Sequence, residues 1–223
     1  MLQKGDSKLL TVEEFVDQLA SFSVENSLVT NPYQFEECRY NLLNYLQHLK
    51  EMKIDIMFIG EAPSHRGCLL TGIPFTDEIQ LRCCCNNYAL GNWERKAARI
   101  YEKRTMVELS ASKVWAMMRE YQIVPLLWNA YPFHPFMAGN KYSNRTPELN
   151  ELQKGIKYVI DLIKIFKIDK SQIFAVGKKA KSSLEQELKL KLDDSHCIRH
   201  PANDYQEEFG QQFEDKIVKY LNR

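Results

Sequence analysis

Apolar positions recur at helical spacing over the first fifty residues, then give way to short unbroken runs. Thr11 and Glu14 form a capping-box pattern, and Phe15, Leu19 and Phe22 follow at intervals of three and four. A second amphipathic stretch runs from Gln34 to Met52, with Leu42, Leu43, Tyr45, Leu46 and Leu49 on its apolar side. The run Ile54–Ile59 is strand-length and stops at Gly60-Glu61-Ala62-Pro63, where Pro63 lacks the N–H a ladder needs. A polar stretch from Ser64 to Asn92 reads as loop, and helical spacing returns from Met106 to Tyr121. A second apolar run, Ile123–Trp128, stops at Asn129 and the Pro-rich turn Ala130-Tyr131-Pro132-Phe133-His134-Pro135. Thr146-Pro147 opens a helix that continues to Phe166. Gln172–Val176 makes a third strand closed by Gly177, and Lys178–Leu190 a further helix. A short strand at Cys197–Arg199 meets His200-Pro201-Ala202-Asn203, before a last helix carrying Phe209, Phe213, Ile217 and Leu221.

Strands separated by helical segments of this length predict parallel pairing through right-handed crossovers. The expected fold class is therefore α/β: a three-layer α/β/α sandwich around a central, mainly parallel four-stranded sheet. In open sheets of this kind ligands bind beyond the carboxyl ends of the strands. Three of the four strands end in chemically unusual groups, namely Gly60-Glu61-Ala62-Pro63, Asn129 and His200-Pro201. Topology alone would bring a carboxylate, an amide and an imidazole to one rim.

Length and composition narrow the class without naming the chemistry. At 223 residues and 26.2 kDa the expectation is one domain over 1–223, with the helices of 1–52 packed upon it. Thirty Lys and Arg against 29 Asp and Glu leave a net charge of +1, so any polyanion must be held by local basic groups. No apolar run reaches membrane-spanning length, and the opening MLQKGDSKLL has no apolar signal core, which together predict a cytoplasmic protein with its six cysteines reduced. Phosphate-loop and dinucleotide glycine patterns are absent, which argues against a nucleotide triphosphate site. Cys83, Cys84 and Cys85 are consecutive and no C-x-x-C pair occurs, so no metal site is expected.

Each candidate residue has a plain alternative. Asn129 can pair with a matched donor and acceptor edge, or simply hold a turn. His200 can stabilise an oxygen that gains negative charge, or be a structural histidine. Phe75, in Thr71-Gly72-Ile73-Pro74-Phe75-Thr76, can offer a ring face to a planar ligand, or anchor the loop in the core. Glu61 can orient water, accept a proton or cap the backbone. Arg82, Arg95, Lys96, Arg99, Lys178, Lys179 and Lys181 read mostly as solvated faces, with a few able to contact phosphates.

Taken together, Gly60-Glu61-Ala62-Pro63, the later G-I-P-F, LLWNA and RHPAN resemble the uracil-DNA glycosylase superfamily in order and spacing. TGIPFTDE, WNAYPFHP and SNRTP look closest to a bacterial uracil-DNA glycosylase-like subgroup. The resemblance implies hydrolysis of the N-glycosidic bond of an extruded uracil or related damaged base in DNA, in base excision repair, by a monomer without a cofactor. By that likeness Phe75 stacks on the base, Asn129 reads its edge, and His200 stabilises charge on the departing oxygen. Gly60, Glu61, Ala62 and Pro63 line the pocket, with the Glu61 side chain placing water. Ser64, His65, Pro201, Ala202 and Asn203 meet the DNA strand.

The departures from the family pattern carry their own expectations. Ala62 stands where the best-known branch has a water-activating Asp, so that role falls to Glu61 or remains unfilled. Ser64 replaces the bulky Tyr that excludes thymine, and Asn203-Asp204 supplies no Leu wedge. The iron–sulphur branch needs four spaced cysteines that this chain lacks, so no cluster is expected.

Overall fold

The computed structural model describes residues 9–52, 54, 56–100, 105–189, 192–201 and 206–222. Its first helix, α1 (Val12–Ser21), starts at Thr11 with the reciprocal capping box in place and buries Phe15, Val16 and Leu19. The second, α2 (Glu36–Glu51), buries Cys38, Asn41, Leu42, Tyr45, Leu46 and Leu49, the stripe its spacing predicts. Between them β1 (Val29–Thr30) pairs antiparallel with β4 (His134–Pro135), a two-stranded ribbon too short to leave a periodic signal.

The central sheet consists of β2 (Met57–Gly60), β3 (Leu126–Asn129), β5 (Ile173–Val176) and β6 (Cys197–Ile198), all parallel in the order β3-β2-β5-β6. The predicted α/β sandwich is thus present. Two strands lie slightly later than their apolar runs. Pro125 has no N–H to give, and Gln122 ends the preceding helix in the left-handed region at φ 52°, so regular pairing begins only at Leu126. Register puts Phe58, Leu127 and Phe174 side by side, and Phe213 and Tyr220 of the C-terminal helical segment cover Phe58 and Phe174 at 5.7 and 5.3 Å between centroids. On the other face Trp128 meets Phe15 at 5.5 Å and Tyr33 at 6.3 Å. Helices therefore pack on both faces of the sheet.

The stretch read as polar loop is built from three short helices, α3 (Cys68–Thr71), α4 (Glu78–Arg82) and α5 (Asn87–Leu90). None is long enough to display a repeat. Asp77 caps α4, accepting from the Gln80 N–H at 2.8 Å. Beyond them come α6 (Leu109–Tyr121), α7 (Leu149–Phe166) and α8 (Lys178–Leu188). The chain closes with α9 (Gln206–Gln212), a π-helical turn at Phe213–Val218, and α10 (Lys219–Leu221). No helix among the described residues is long and apolar enough to cross a membrane.

The sheet order places the site. From β2 the chain moves outward to β3, then returns across β2 to β5, so the direction of winding reverses beside β2. A crevice opens at such a reversal, outside the carboxyl ends of the strands.

Candidate active site

The crevice holds a cavity of about 260 Å³, below the roughly 300–1,000 Å³ common for drug-sized ligands. Its scale suits one planar ring with ordered water. Gly60 and Asn129 are register partners at the ends of β2 and β3, and pairing continues past them through Ala130 N to Gly60 O at 2.8 Å and Tyr131 N to Glu61 O at 3.0 Å. That extension fixes the first strand-end segment against the second.

Gly60 is required here for space. A Cβ at this position would lie 2.7 Å from both Asn129 Oδ1 and Phe75 Cζ. Asn129 is only 4% exposed, yet no described residue hydrogen-bonds to its side-chain amide. The amide opens into the cavity, where the donor and acceptor edge of a ligand can reach it. Phe75 combines its two sequence readings: it is buried in the core cluster and also faces the cavity.

Phe75 adopts φ 54°, a left-handed conformation that a bulky residue rarely takes. The surrounding turn over-determines it. Thr71 Oγ1 donates to Thr76 O at 2.7 Å, Thr76 Oγ1 donates to Pro74 O at 3.0 Å, and Trp115 Nε1 donates to Thr76 Oγ1 at 3.2 Å. Asn41 of α2 donates to Thr71 O at 2.9 Å, and Gly72, at φ 77°, lies so close to Cys38 that a Cβ would sit 2.2 Å from its carbonyl oxygen. Helix α2 thus buttresses the turn that presents the ring.

Glu61, Lys179, Thr146 and His200 border the opposite chemistry of the cavity. Glu61 Oε1 is buried with no hydrogen-bond partner, and its nearest cation is Lys179 Nζ at 3.9 Å. Burial pushes the Glu61 carboxyl above the usual range, while Lys179 and the Thr146 hydroxyl pull it back. Lys179 Nζ in turn donates to Thr146 Oγ1. His200 is exposed at the rim, but neighbouring atoms desolvate its ring and Lys179 adds repulsion, so its pKa is lowered and the neutral imidazole is favoured. Gly177, at φ 98°, lets β5 turn into α8 directly against the His200 ring, 3.2 Å from His200 Cβ to where a Cβ would be.

Of the residues expected from sequence, Gly60, Glu61, Ala62, Pro63, Ser64, Phe75, Asn129 and His200 all line this one cavity. His65 does not. Its backbone N–H and its Nδ1 both contact Asn144 Oδ1 at 3.0 Å, which ties two loops together. Pro201 is buried away from the cavity, while Ala202 and Asn203 lie outside the described residues. Among the described residues no cluster of His, Cys, Asp and Glu is arranged to hold a metal.

Sequence reasoning assigned no role to several residues of the site. Glu108 and Ser110, at the start of α6, line the cavity without belonging to any motif. Arg145 also lines it, but its guanidinium is committed to Glu151 through two bonds of 2.8 and 2.9 Å. His134 lies beneath the site, completely buried, with its Nδ1 2.7 Å from Pro63 O. It came from the Pro-rich turn, where only the turn itself was legible.

A parallel sheet with a single-ring cavity at its carboxyl rim defines an α/β protein whose site is assembled from strand ends. The family model described as Uracil DNA glycosylase superfamily matches residues 46–222, and the chain belongs to that superfamily. Membership points to a DNA-binding protein with glycosylase-type chemistry. The crystal structure of wild-type Pedobacter heparinus SMUG2 has a similar fold, with a TM-score of 0.63 and 18% identity over 96% of this chain and 97% of that one. No curated protein matches the sequence.

Proposed function

We propose that the protein is a monomeric, cofactor-independent DNA glycosylase, acting in the cytoplasm, that hydrolyses the N-glycosidic bond of uracil or a related damaged base extruded from DNA. The observation that carries this reading is the unpaired, buried amide of Asn129 in van der Waals contact range of Gly60 and beside the Phe75 ring. A flat heterocycle on that ring would offer its donor and acceptor edge to the amide, as base recognition outside the stack requires. His200, held neutral, donates from a ring N–H to the oxygen that becomes negative as the base departs. The Glu61 carboxyl, which lines the cavity, accepts from the attacking water in place of the Asp that Ala62 replaces. Lys178, Lys179 and Arg199 border an adjoining hollow beside His200, where the DNA backbone would run.

The test is release of uracil from a labelled oligonucleotide, scored as abasic product. Asn129→Ala and His200→Ala are each expected to lower single-turnover release on the order of 100-fold or more. Unchanged release in both variants overturns the assignment. One observation favours a second reading, a base-binding module without catalysis: Ala62 offers no carboxylate, and Glu61 is shared with Lys179. Tight binding of uracil-containing DNA with no abasic product would select it.

A further inference from the structure

Three consecutive cysteines, Cys83, Cys84 and Cys85, stand apart from the base cavity, and none of them lines it. All are free thiols, with Cys84 and Cys85 exposed and Cys83 partly so. Cys83 ends α4 and opens a 3₁₀ turn over Cys84–Asn86, so the three side chains leave one tight bend, closed by Asn86 N–H donating to Cys83 O at 3.0 Å. Two guanidiniums bracket this bend. Arg119 of α6 donates through Nη1 to Gln80 Oε1 at 2.9 Å and to Asn86 Oδ1 at 3.0 Å, and the Cys85 thiol reaches the same Asn86 oxygen at 3.6 Å. Arg95 donates to Leu81 O at 3.0 Å, to Asn87 Oδ1 and to Gly91 O, while its Nε is buried without a partner. Every one of these acceptors is a neutral oxygen, and among the described residues neither guanidinium is paired with a carboxylate.

Two positive charges without a counter-carboxylate therefore face three thiols. A thiol beside a cation ionises more readily, and the thiolate is the nucleophile. The neighbouring Cys85 thiol, and then the fields of Arg119 and Arg95, draw the Cys83 thiol below its ordinary range, while Cys83 pushes Cys85 up. A metal cation is the competing occupant of such a cluster. The same arginines repel it, and no group of three His, Cys, Asp or Glu among the described residues is arranged to hold one. Geometry also chooses between the two possible partners of Cys83. Consecutive Cα atoms lie about 3.8 Å apart, below the roughly 4.4–6.8 Å that disulfides usually span, so Cys84 is poorly placed and Cys85, one residue further round the bend, is better. We infer that Cys83 and Cys85 form a redox modification site, in which a hydroperoxide oxidises Cys83 and Cys85 then closes an internal disulfide. In the first step the Cys83 sulphur attacks a peroxide oxygen, the O–O bond breaks, and Cys83 becomes a sulfenic acid. In the second the Cys85 sulphur attacks the Cys83 sulphur, the S–O bond breaks, and the departing hydroxyl leaves as water with the Cys85 proton. Overall the dithiol gives up two electrons and two protons, and one hydrogen peroxide becomes two waters. The inference does not depend on the glycosylase reading, because it concerns thiols outside the base cavity.

Tryptic cleavage after Arg82 and Arg95 releases residues 83–95 as a peptide that holds these three cysteines and no others, so the site can be read by mass. The reduced full-length chain is exposed to a small excess of hydrogen peroxide, blocked with iodoacetamide and digested. The expected wild-type peptide has lost two hydrogens and carries one alkyl group, on Cys84. Cys84→Ser should bridge within about twofold of the wild-type rate, whereas Cys83→Ser should slow bridging about tenfold or more. Cys85→Ser should stop at a Cys83 sulfenic acid, trapped as its dimedone adduct. Serine at these surface positions leaves the core untouched, and circular dichroism of each variant checks that the fold is kept. Three alkyl groups on the wild-type peptide after peroxide, a bridge that forms as fast in Cys83→Ser, or chains joined to one another in place of the internal bridge would each overturn the inference.

Discussion

The two sides of the cavity are held in different ways. Gly60, Phe75 and Asn129 form a wall fixed by close packing: strand register sets the amide, a hydrogen-bonded turn holds the ring in an unfavourable backbone conformation, and α2 braces that turn. Glu61, Lys179 and His200 form a rim where the closest charged contact is 3.9 Å and the lysine side chain is 67% exposed. Shape is rigid on one side and charge is adjustable on the other. For an enzyme that must accept only certain rings and then move charge, this division is the expected one, since fit needs fixed atoms whereas developing charge responds to fields over longer distances.

The sharpest way to break that contrast is to remove the space that Gly60 provides. Gly60→Val would drive a branched side chain into Asn129 and Phe75, each already 2.7 Å from a single Cβ. The expected loss of base release is about 1,000-fold, with the sheet pairing retained because Gly60 has no unusual φ. Circular dichroism distinguishes lost fold from lost fit. Release within tenfold of the wild type would mean that the wall yields, and the distinction between rigid and adjustable sides would disappear.

The rigid wall was half legible in the sequence. Asn129 and Gly60 announce themselves because apolar runs end at them, and parallel topology then forces the ends together. Phe75 was visible as an aromatic in a Gly-Pro turn, but its left-handed φ was not, because Thr71, Asn41 and Trp115 impose it from separate parts of the chain. Glu108 was invisible for the same reason: its place beside the cavity comes from Asp77 and Gly67, over thirty residues away in sequence, and not from any local pattern. Strand starts moved by a few residues because Pro125 and the Gln122 helix end override apolar character. The β1–β4 ribbon left no signal, since two residues cannot show a period.

His134 offers a test of how the rigid side is joined to the rest. Its ring is pushed down to about 4 from 6.5, chiefly by burial, so it stays neutral in the folded protein where the unfolded chain would already be protonated. The unfolded state therefore binds more protons as pH falls, and stability is complete above about 6.5, declines through the interval, and levels off below about 4. At pH 5 the cost from this one group is about 2 kcal/mol. His134→Gln removes the titration while keeping an N–H that can reach Pro63 O. Chemical denaturation at pH 7 and pH 5 should show a smaller difference for the variant than for the wild type. A residual slope is expected from His65 and His200, whose pKa values are also lowered by burial.

The smallest expected effect sharpens the comparison from the adjustable side. Lys179 lowers the pKa of Glu61 and of His200, so Lys179→Met should raise both. Glu61 must be ionised to accept from water, and a raised pKa means that it protonates at a higher pH. The acid limb of the release profile should accordingly move to higher pH, with less than about a tenfold change in rate at pH 7.5, because an exposed charge acts through a screened field. Salt gives an independent check on wild-type protein, since screening Lys179 should move the same limb in the same direction. Phosphate contacts would also weaken with salt, so the comparison uses saturating oligonucleotide, where binding no longer limits the rate. A limb that stays fixed in both experiments would show that the rim, like the wall beside it, works through direct contact and not through its field.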